Sequence, residues 1–272
     1  MNISFIGGGN MAKAIIGGLR QNSFDMSAIT VIEPDEQKRK ALANEFNVQI
    51  SDSYVAIVNT NASQSAIVLA VKPQQLQLVC KQLADSLNTQ LIISIAAGVR
   101  SADISRWLGN YQAIVRVMPN TPAQIQAGIS ALYANASVSE QQRHLANTIL
   151  AAVGSTLWLD DEAKMDAVTA ISGSGPAYVF YLIEALQEAA ISLGLEADEA
   201  KSLALQTFAG ASLLAAQSHT DVKTLRAQVT SKGGTTEQGI LALETAHIKN
   251  TILLAAKAAA DKSHTLGDEL AQ

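Results

Sequence analysis

The chain has 272 residues, 48% apolar and 16% charged with few aromatics, which is enough for one large domain or two ordinary ones with a full core. Its formal net charge of −5 excludes the basic surface that non-specific binding to nucleic acid or an anionic membrane requires. One cysteine, Cys80, excludes an intrachain disulfide and a multi-cysteine metal site; no metal is expected, and a reducing compartment fits.

Asn2 runs straight into Ile3-Ser4-Phe5-Ile6, with no basic segment and no apolar leader, so no signal peptide is expected. The most apolar late stretch, 252–260, is broken by Lys257 and is too short to span a bilayer. A cytoplasmic protein is the expectation.

From residue 1 to about 160, short apolar runs alternate with helical patterns. Strands are expected at 3–6, 29–32, 66–71, 91–95, 114–118, 129–133 and 156–159, and helices at 11–20, 74–87, 102–108 and 140–153. Several of the runs are apolar throughout, as parallel strands covered on both faces are. The fold class is therefore α/β: an N-terminal doubly wound parallel sheet of the Rossmann type. After residue 162 the strand signals stop. Helical patterns run from Pro176 to Leu193 with Gly194 as C-cap, then over 197–217, 222–229, and from Thr236 almost to the end. Two domains are expected, a dinucleotide-binding domain at 1–161 and an all-helical one at 162–272. Helices apolar on several faces, such as 200–216, need burial on several sides that a bundle of this size does not supply, so an extensive subunit interface is expected unless the helices form a tight monomeric bundle.

Gly7-Gly8-Gly9-Asn10-Met11-Ala12 follows the first strand and opens a helix, which satisfies G-x-G-x-x-A in its required context. Gly7 permits the tight turn, Gly9 lets a pyrophosphate approach, Ala12 packs the helix on the strand, and the N–H groups of the helix N-terminus face the phosphates. A nicotinamide dinucleotide is the expected ligand. At the end of the second strand Glu33 stands where an acidic residue grips the adenosine ribose diol. Its charge would repel a 2′-phosphate, whereas Lys38, Arg39 and Lys40 would attract one unless they form a solvated helix face. NADH is favoured and NADPH stays open.

Three more loops lie at strand carboxyl ends, where ligands of open α/β sheets bind. These are Ala70-Val71-Lys72-Pro73, Ala96-Ala97-Gly98, and Met118-Pro119-Asn120-Thr121-Pro122. The prolines keep them extended and rigid. Small Ala96 and Ala97 leave room for a flat ring, and Asn120 offers a donor and an acceptor to a carboxamide.

Far downstream, Ser231-Lys232-Gly233-Gly234-Thr235-Thr236-Glu237-Gln238 places two glycines before a helix start, with Thr235 and Gln238 at capping-box spacing. Backbone N–H groups with the hydroxyls of Ser231, Thr235 and Thr236 make a seat for a small carboxylate, unless the glycines serve only the backbone. Ser172-Gly173-Ser174-Gly175-Pro176 reads as another helix start, either a packing device or a wall of the same cleft.

These motifs, in this order and with Ser94-Ile95-Ala96-Ala97-Gly98-Val99 and Ala177-Tyr178, closely resemble the pyrroline-5-carboxylate reductase family over nearly the whole chain. The resemblance implies an NADPH- or NADH-dependent reduction of a cyclic imine to proline. It also implies a C-terminal helical domain that dimerises by interleaving, and dimers that often assemble into rings. The substrate carboxylate would sit on Ser231, Gly233, Gly234 and Thr235, and Thr236 would hydrogen-bond the ring nitrogen as the catalytic residue. The dinucleotide would contact Gly7, Gly9, Asn10, Met11, Glu33, Ala70, Val71, Lys72, Pro73, Ala97 and Asn120, with Ser53 on its adenosine side. Lys232 stands where many relatives have proline, and Glu33 where many have a small polar residue.

An imine nitrogen can be protonated in solution, so little acid–base work is left to the protein. The rival is a β-hydroxyacid dehydrogenase, which needs a Lys or His base in the cleft. His144, His219, His247 and His264 all fall outside the motifs, and only Lys72 and Lys232 are placed to serve. A dinucleotide sensor without turnover would have no use for the second glycine loop.

Overall fold

The computed structural model describes residues 1–54 and 65–271. It divides into two compact units, Met1–Ser174 together with Ala259–Gln272, and Gly175–Ala258. The segment 162–174 and the end of the last helix therefore pack with the sheet, although the strand pattern stops before 162.

The first unit is built on an eight-stranded sheet in the order β3-β2-β1-β4-β5-β6-β7-β8. The strands are β1 Asn2–Ile6, β2 Ile29–Ile32, β3 Gln49–Ser51, β4 Ser65–Leu69, β5 Leu91–Ser94, β6 Ile114–Met118, β7 Gly128–Ala134 and β8 Gly154–Trp158. All neighbours pair in parallel except β6 and β7. That exception follows from the connection: a 3-10 turn at Thr121–Ile125 is too short for the crossover that a parallel partner needs. Strand β3 carries no apolar run and is largely exposed, so periodicity alone does not reveal it.

Strands β4 and β5 are buried along their whole length, and their alternate residues feed two cores. One face carries Ile3, Phe5, Val31, Val68 and Ile93 against α1 (Asn10–Gln21), α2 (Glu36–Phe46) and α5 (Glu140–Ala151). The other carries Ile6, Ile32, Ile67, Leu69 and Ile92 against α3 (Pro73–Leu83) and α4 (Ser101–Trp107). Local chemistry sets the helix starts. Asp35 accepts from Lys38 N–H ahead of α2, Pro73 takes the first helical position of α3, and Ser139 and Gln142 form a capping box at α5.

The second unit is helical: α6 Gly175–Ser192, α7 Ala197–Gln217, α8 Val222–Gln228, α9 Thr235–Thr245 and the first turns of α10 Ile248–Leu270. Gly194, at φ +96°, ends α6 as expected. The single helix expected from Thr236 onward is two, because His247 adopts φ +53° between α9 and α10. Within this unit only Ala200 and Ala204 are buried apolar residues, while Phe180, Tyr181, Leu193, Leu213 and Leu214 stand 58–85% exposed.

Candidate functional site

The strand order reverses between β1 and β4, which start neighbouring crossovers on opposite sides of the sheet, and this is where ligands of doubly wound sheets bind. Gly7 ends β1 at φ +98°, and a Cβ there would lie 2.8 Å from the Ala70 carbonyl oxygen at the end of β4. Only glycine allows both the conformation and the approach. Gly7 N–H donates to the Ile32 carbonyl at 2.8 Å, so the turn is sewn to β2 as well. Gly9 is the N-cap of α1, no side chain caps this helix, and a Cβ on Gly9 would meet nothing within 4 Å. The turn thus offers backbone donors and space, the two things a pyrophosphate requires. Ala12 is fully buried beneath it.

Glu33 is held inward rather than presented free. Its residue is 8% exposed; Oε2 accepts from Gly8 N–H at 2.9 Å, and Oε1 accepts from Asp35 N–H at 3.1 Å. The carboxylate therefore braces the glycine turn. Of the three adjacent bases, Lys38 and Lys40 are solvated and pair with Asp35 and Glu36. Arg39 is different: its side chain is 15% exposed and donates to the Glu33 and Pro34 carbonyls at 2.6 and 2.9 Å, with Asp52 at 3.7 Å. Ser53 lies just past β3, its N–H on Ser51 Oγ at 3.0 Å.

The other strand-end residues line the same edge of the sheet. Ala70 N–H donates to the Ile6 carbonyl at 2.8 Å, Val71 follows half-buried, Lys72 is the exposed N-cap of α3, and Pro73 opens that helix. Ala96 is buried and Ala97 exposed, ahead of Gly98 at φ +81°. Asn120 spends its amide oxygen on Ile129 N–H at 2.9 Å. Asn10 and Met11 sit in the first turn of α1, exposed and half-buried. The cofactor residues expected in the first unit are thus gathered along the carboxyl edge of the sheet.

In the second unit, the loop before α9 turns at Gly233, φ +75°, where a Cβ would meet nothing within 4 Å. Gly234, not Thr235, is the N-cap of α9, and no side chain caps it. The expected capping box of Thr235 and Gln238 is therefore absent, because Thr235 is already helical. Instead Glu237 reaches back and its Oε2 accepts from Gly233 N–H at 2.7 Å. Gly234 N–H donates to the Ser231 carbonyl at 3.0 Å. Ser231, Thr235 and Thr236 are exposed.

The segment at 172–176 holds the expected helix start: α6 opens at Gly175, with Pro176 in its first turn. A π-helical turn, Thr169–Gly173, leads into α6, and a Cβ on Gly173 would fall 2.4 Å from Met118 Cε. Gly173 thus packs beside the end of the Met118 side chain. Glu162 receives Ser101 N–H at 2.7 Å and Ser101 Oγ at 2.6 Å, and pairs with buried Arg116 at 2.9 Å. The sequence signal for this pair is a lone charge inside the apolar run Ile114-Val115-Arg116-Val117-Met118.

All four histidines are exposed. Among the described residues no group of three or more His, Cys, Asp and Glu is placed to hold a metal, and no helix is long and apolar enough to cross a membrane. Cys80 is fully buried, and desolvation pushes its thiol up to about 12, so it is no nucleophile at neutral pH.

Comparison with known proteins is specific. Residues 162–266 match the family model for pyrroline-5-carboxylate reductase dimerisation, and residues 2–98 match that for NADP oxidoreductase, coenzyme F420-dependent. The chain is 44% identical over 271 residues to a pyrroline-5-carboxylate reductase of Pseudomonas aeruginosa, covering 99% of this chain and 98% of the relative. It superposes on a pyrroline-5-carboxylate reductase from Coxiella burnetii with TM-score 0.91 and 41% identity, covering 97% and 98% of the two chains. The Plasmodium falciparum enzyme, solved with NADP bound, gives 0.86 at 30% identity, with 98% of each chain covered.

Proposed function

The chain belongs to the pyrroline-5-carboxylate reductase family, and from that premise we propose which of its residues carry the reaction and in what assembly. It is an NAD(P)H-dependent oxidoreductase that reduces the C=N bond of 1-pyrroline-5-carboxylate to give L-proline, the last step of proline biosynthesis. The observation that carries this reading is end-to-end similarity, which takes in the dinucleotide turn and the second glycine loop alike.

The division at 1–161 and 162–272 is the functional one in this reading, and the dimerisation match over 162–266 supports it. Gly7, Gly9, Asn10 and Met11 hold the pyrophosphate; the uncapped start of α1 and the open space at Gly9 fit that group. Glu33 and Ser53 border the adenosine ribose. Ala70, Val71, Lys72 and Pro73 form the wall beyond the pyrophosphate, and Ala97 and Asn120 border the nicotinamide. When bound, the nicotinamide supplies the hydride that the imine carbon takes up. Ser231, Gly233, Gly234 and Thr235 seat the substrate carboxylate with backbone N–H groups and hydroxyls. The Thr236 hydroxyl orients the ring nitrogen and passes it a solvent proton. This suffices because an iminium accepts hydride without a strong protein base. Exposure of all four histidines supports that economy.

Neither NADH nor NADPH is refused in this reading. Lys38 and Lys40 are paired and Arg39 is committed to backbone carbonyls, which supports ready use of NADH. The protein works in the cytoplasm as a homodimer joined through α6–α10, and the dimers assemble into a larger ring. The exposed apolar side chains of the second unit support the dimer.

The test is oxidation of NADH and of NADPH with 1-pyrroline-5-carboxylate, then with a panel of 2- and 3-keto acids. Turnover with the pyrroline is expected with either dinucleotide. Turnover with keto acids alone would transfer the chain to the hydroxyacid dehydrogenases.

A further inference from the structure

The last turns of α10 are far from every motif in the sequence, yet they pack with the sheet rather than with the helices that precede them. Their buried residues are Ser263 and Gly267. A Cβ on Gly267 would lie 2.9 Å from the Gly98 carbonyl oxygen and 3.3 Å from Arg100 Nη2. From the other side, a Cβ on Gly98 would sit 3.5 Å from Leu266 Cβ and 3.7 Å from Gly267 N. Two backbones therefore meet glycine to glycine, and Gly98 does so at φ +81°.

A polar contact fastens the same meeting: Arg100 Nη2 pairs with Asp268 Oδ1 at 2.7 Å. One turn earlier in α10, Ser263 Oγ donates to Asp166 Oδ1 at 2.7 Å, which anchors this end of the helix to the 165–168 turn. At the first residue of α4, Glu162 holds both the N–H and the hydroxyl of Ser101 and is itself held by buried Arg116. The loop 96–100 is thus gripped along its rear by α10 and at its far end by Glu162. Its front is exposed only at Ala97.

We propose that the α10 segment 263–268, with Gly267 as its central positioning residue, fixes the loop 96–100 and so sets the position of the nicotinamide-side wall. The proposal rests on the assignment of Ala97 to the nicotinamide border. None of these residues touches a reacting atom; they act through the loop. Hydride transfer is steep in distance and alignment, so a loop displaced by a fraction of an ångström lowers kcat while pyrophosphate binding at Gly7 and Gly9 persists.

Gly267→Ala in the full-length protein is the direct test. The added methyl has no room against Gly98, so the loop must shift. The expected result is a kcat lower by about tenfold to a hundredfold, with the dinucleotide dissociation constant and the oligomer mass unchanged. Hydrogen exchange at the amides of residues 96–99 should accelerate in the same variant, with or without substrate. Because α10 could suffer as a whole, Asp268→Ala and the swapped pair Arg100→Asp with Asp268→Arg form a second arm. Asp268→Ala should lower kcat by about threefold, and the swap should restore part of it. Unchanged kcat and unchanged exchange in Gly267→Ala would overturn the proposal, as would loss of dinucleotide binding in step with kcat. Faster exchange in an enzyme inactive on the pyrroline would instead keep the structural claim and reject the substrate reading.

Discussion

The molecule has two glycine turns at helix starts, and they are built differently. At Gly7 the turn is enclosed: β2 and β4 press on it, Glu33 holds Gly8, and a methyl at Gly7 would run into the Ala70 backbone. At Gly233 the turn is open, closed only by its own Ser231 and Glu237, with Gly233 touching nothing that a methyl would reach. The first sits on a sheet with two complete cores, the second in a unit whose large apolar side chains face outward. A turn inside a finished core is preformed by its own chain. On the reading proposed above, the turn in the open bundle acquires its working surroundings only when another copy covers the apolar helices.

Breaking the bundle should have the largest effect. Leu213→Glu with Leu214→Glu places two charges on exposed apolar positions of α7, where burying one charge unpaired costs several kcal/mol. Light scattering should show monomer, and reductase activity should vanish while the first unit still binds dinucleotide. A monomer with full activity would end the idea that the second turn depends on assembly.

Gly7→Ala against Gly233→Ala compares the turns themselves. The first meets the Ala70 carbonyl and a disfavoured φ, so it should lose about 1–3 kcal/mol of stability and bind dinucleotide much more weakly. The second should cost about 1 kcal/mol of backbone strain and appear as a raised KM for the imine. Equal effects of both on dinucleotide binding would erase the distinction. Thr236→Ala should lower kcat by about tenfold, the value of one lost hydrogen bond, with dinucleotide affinity unchanged by fluorescence titration. Smallest is Glu33→Ser, which removes an anion beside the glycine turn and should raise the NADPH-to-NADH ratio of kcat/KM several-fold. It should also weaken both dinucleotides slightly, because Gly8 N–H loses its acceptor.

Much of this was legible from residues alone. Apolar runs bounded by turns locate seven strands, and the G-x-G-x-x-A turn falls between β1 and α1 as its spacing requires. What escaped had physical reasons. Strand β3 is three residues at a sheet edge, held by backbone pairing with β2 rather than by an apolar pattern. Thr235 and Gln238 have capping-box spacing, but glycine at 234 is the cap and Glu237 supplies the return contact. The break at His247 comes from a single residue at positive φ that is not glycine, so nothing in the periodicity marks it. Arg39 reads as one of three surface bases, and only the fold turns it back onto the Glu33 and Pro34 carbonyls. Motifs made of neighbours in sequence were readable; contacts between distant residues, such as Glu162 with Ser101, were not.

The central claim is hydride transfer to a cyclic imine seated by its carboxylate. Reduced dinucleotide carrying deuterium at both C4 positions of the nicotinamide tests it directly, with the product read by NMR. The account predicts proline carrying one deuterium at the ring carbon adjacent to nitrogen and remote from the carboxylate. Unlabelled proline, or deuterium delivered only to the carbinol carbon of a hydroxy acid, would contradict it.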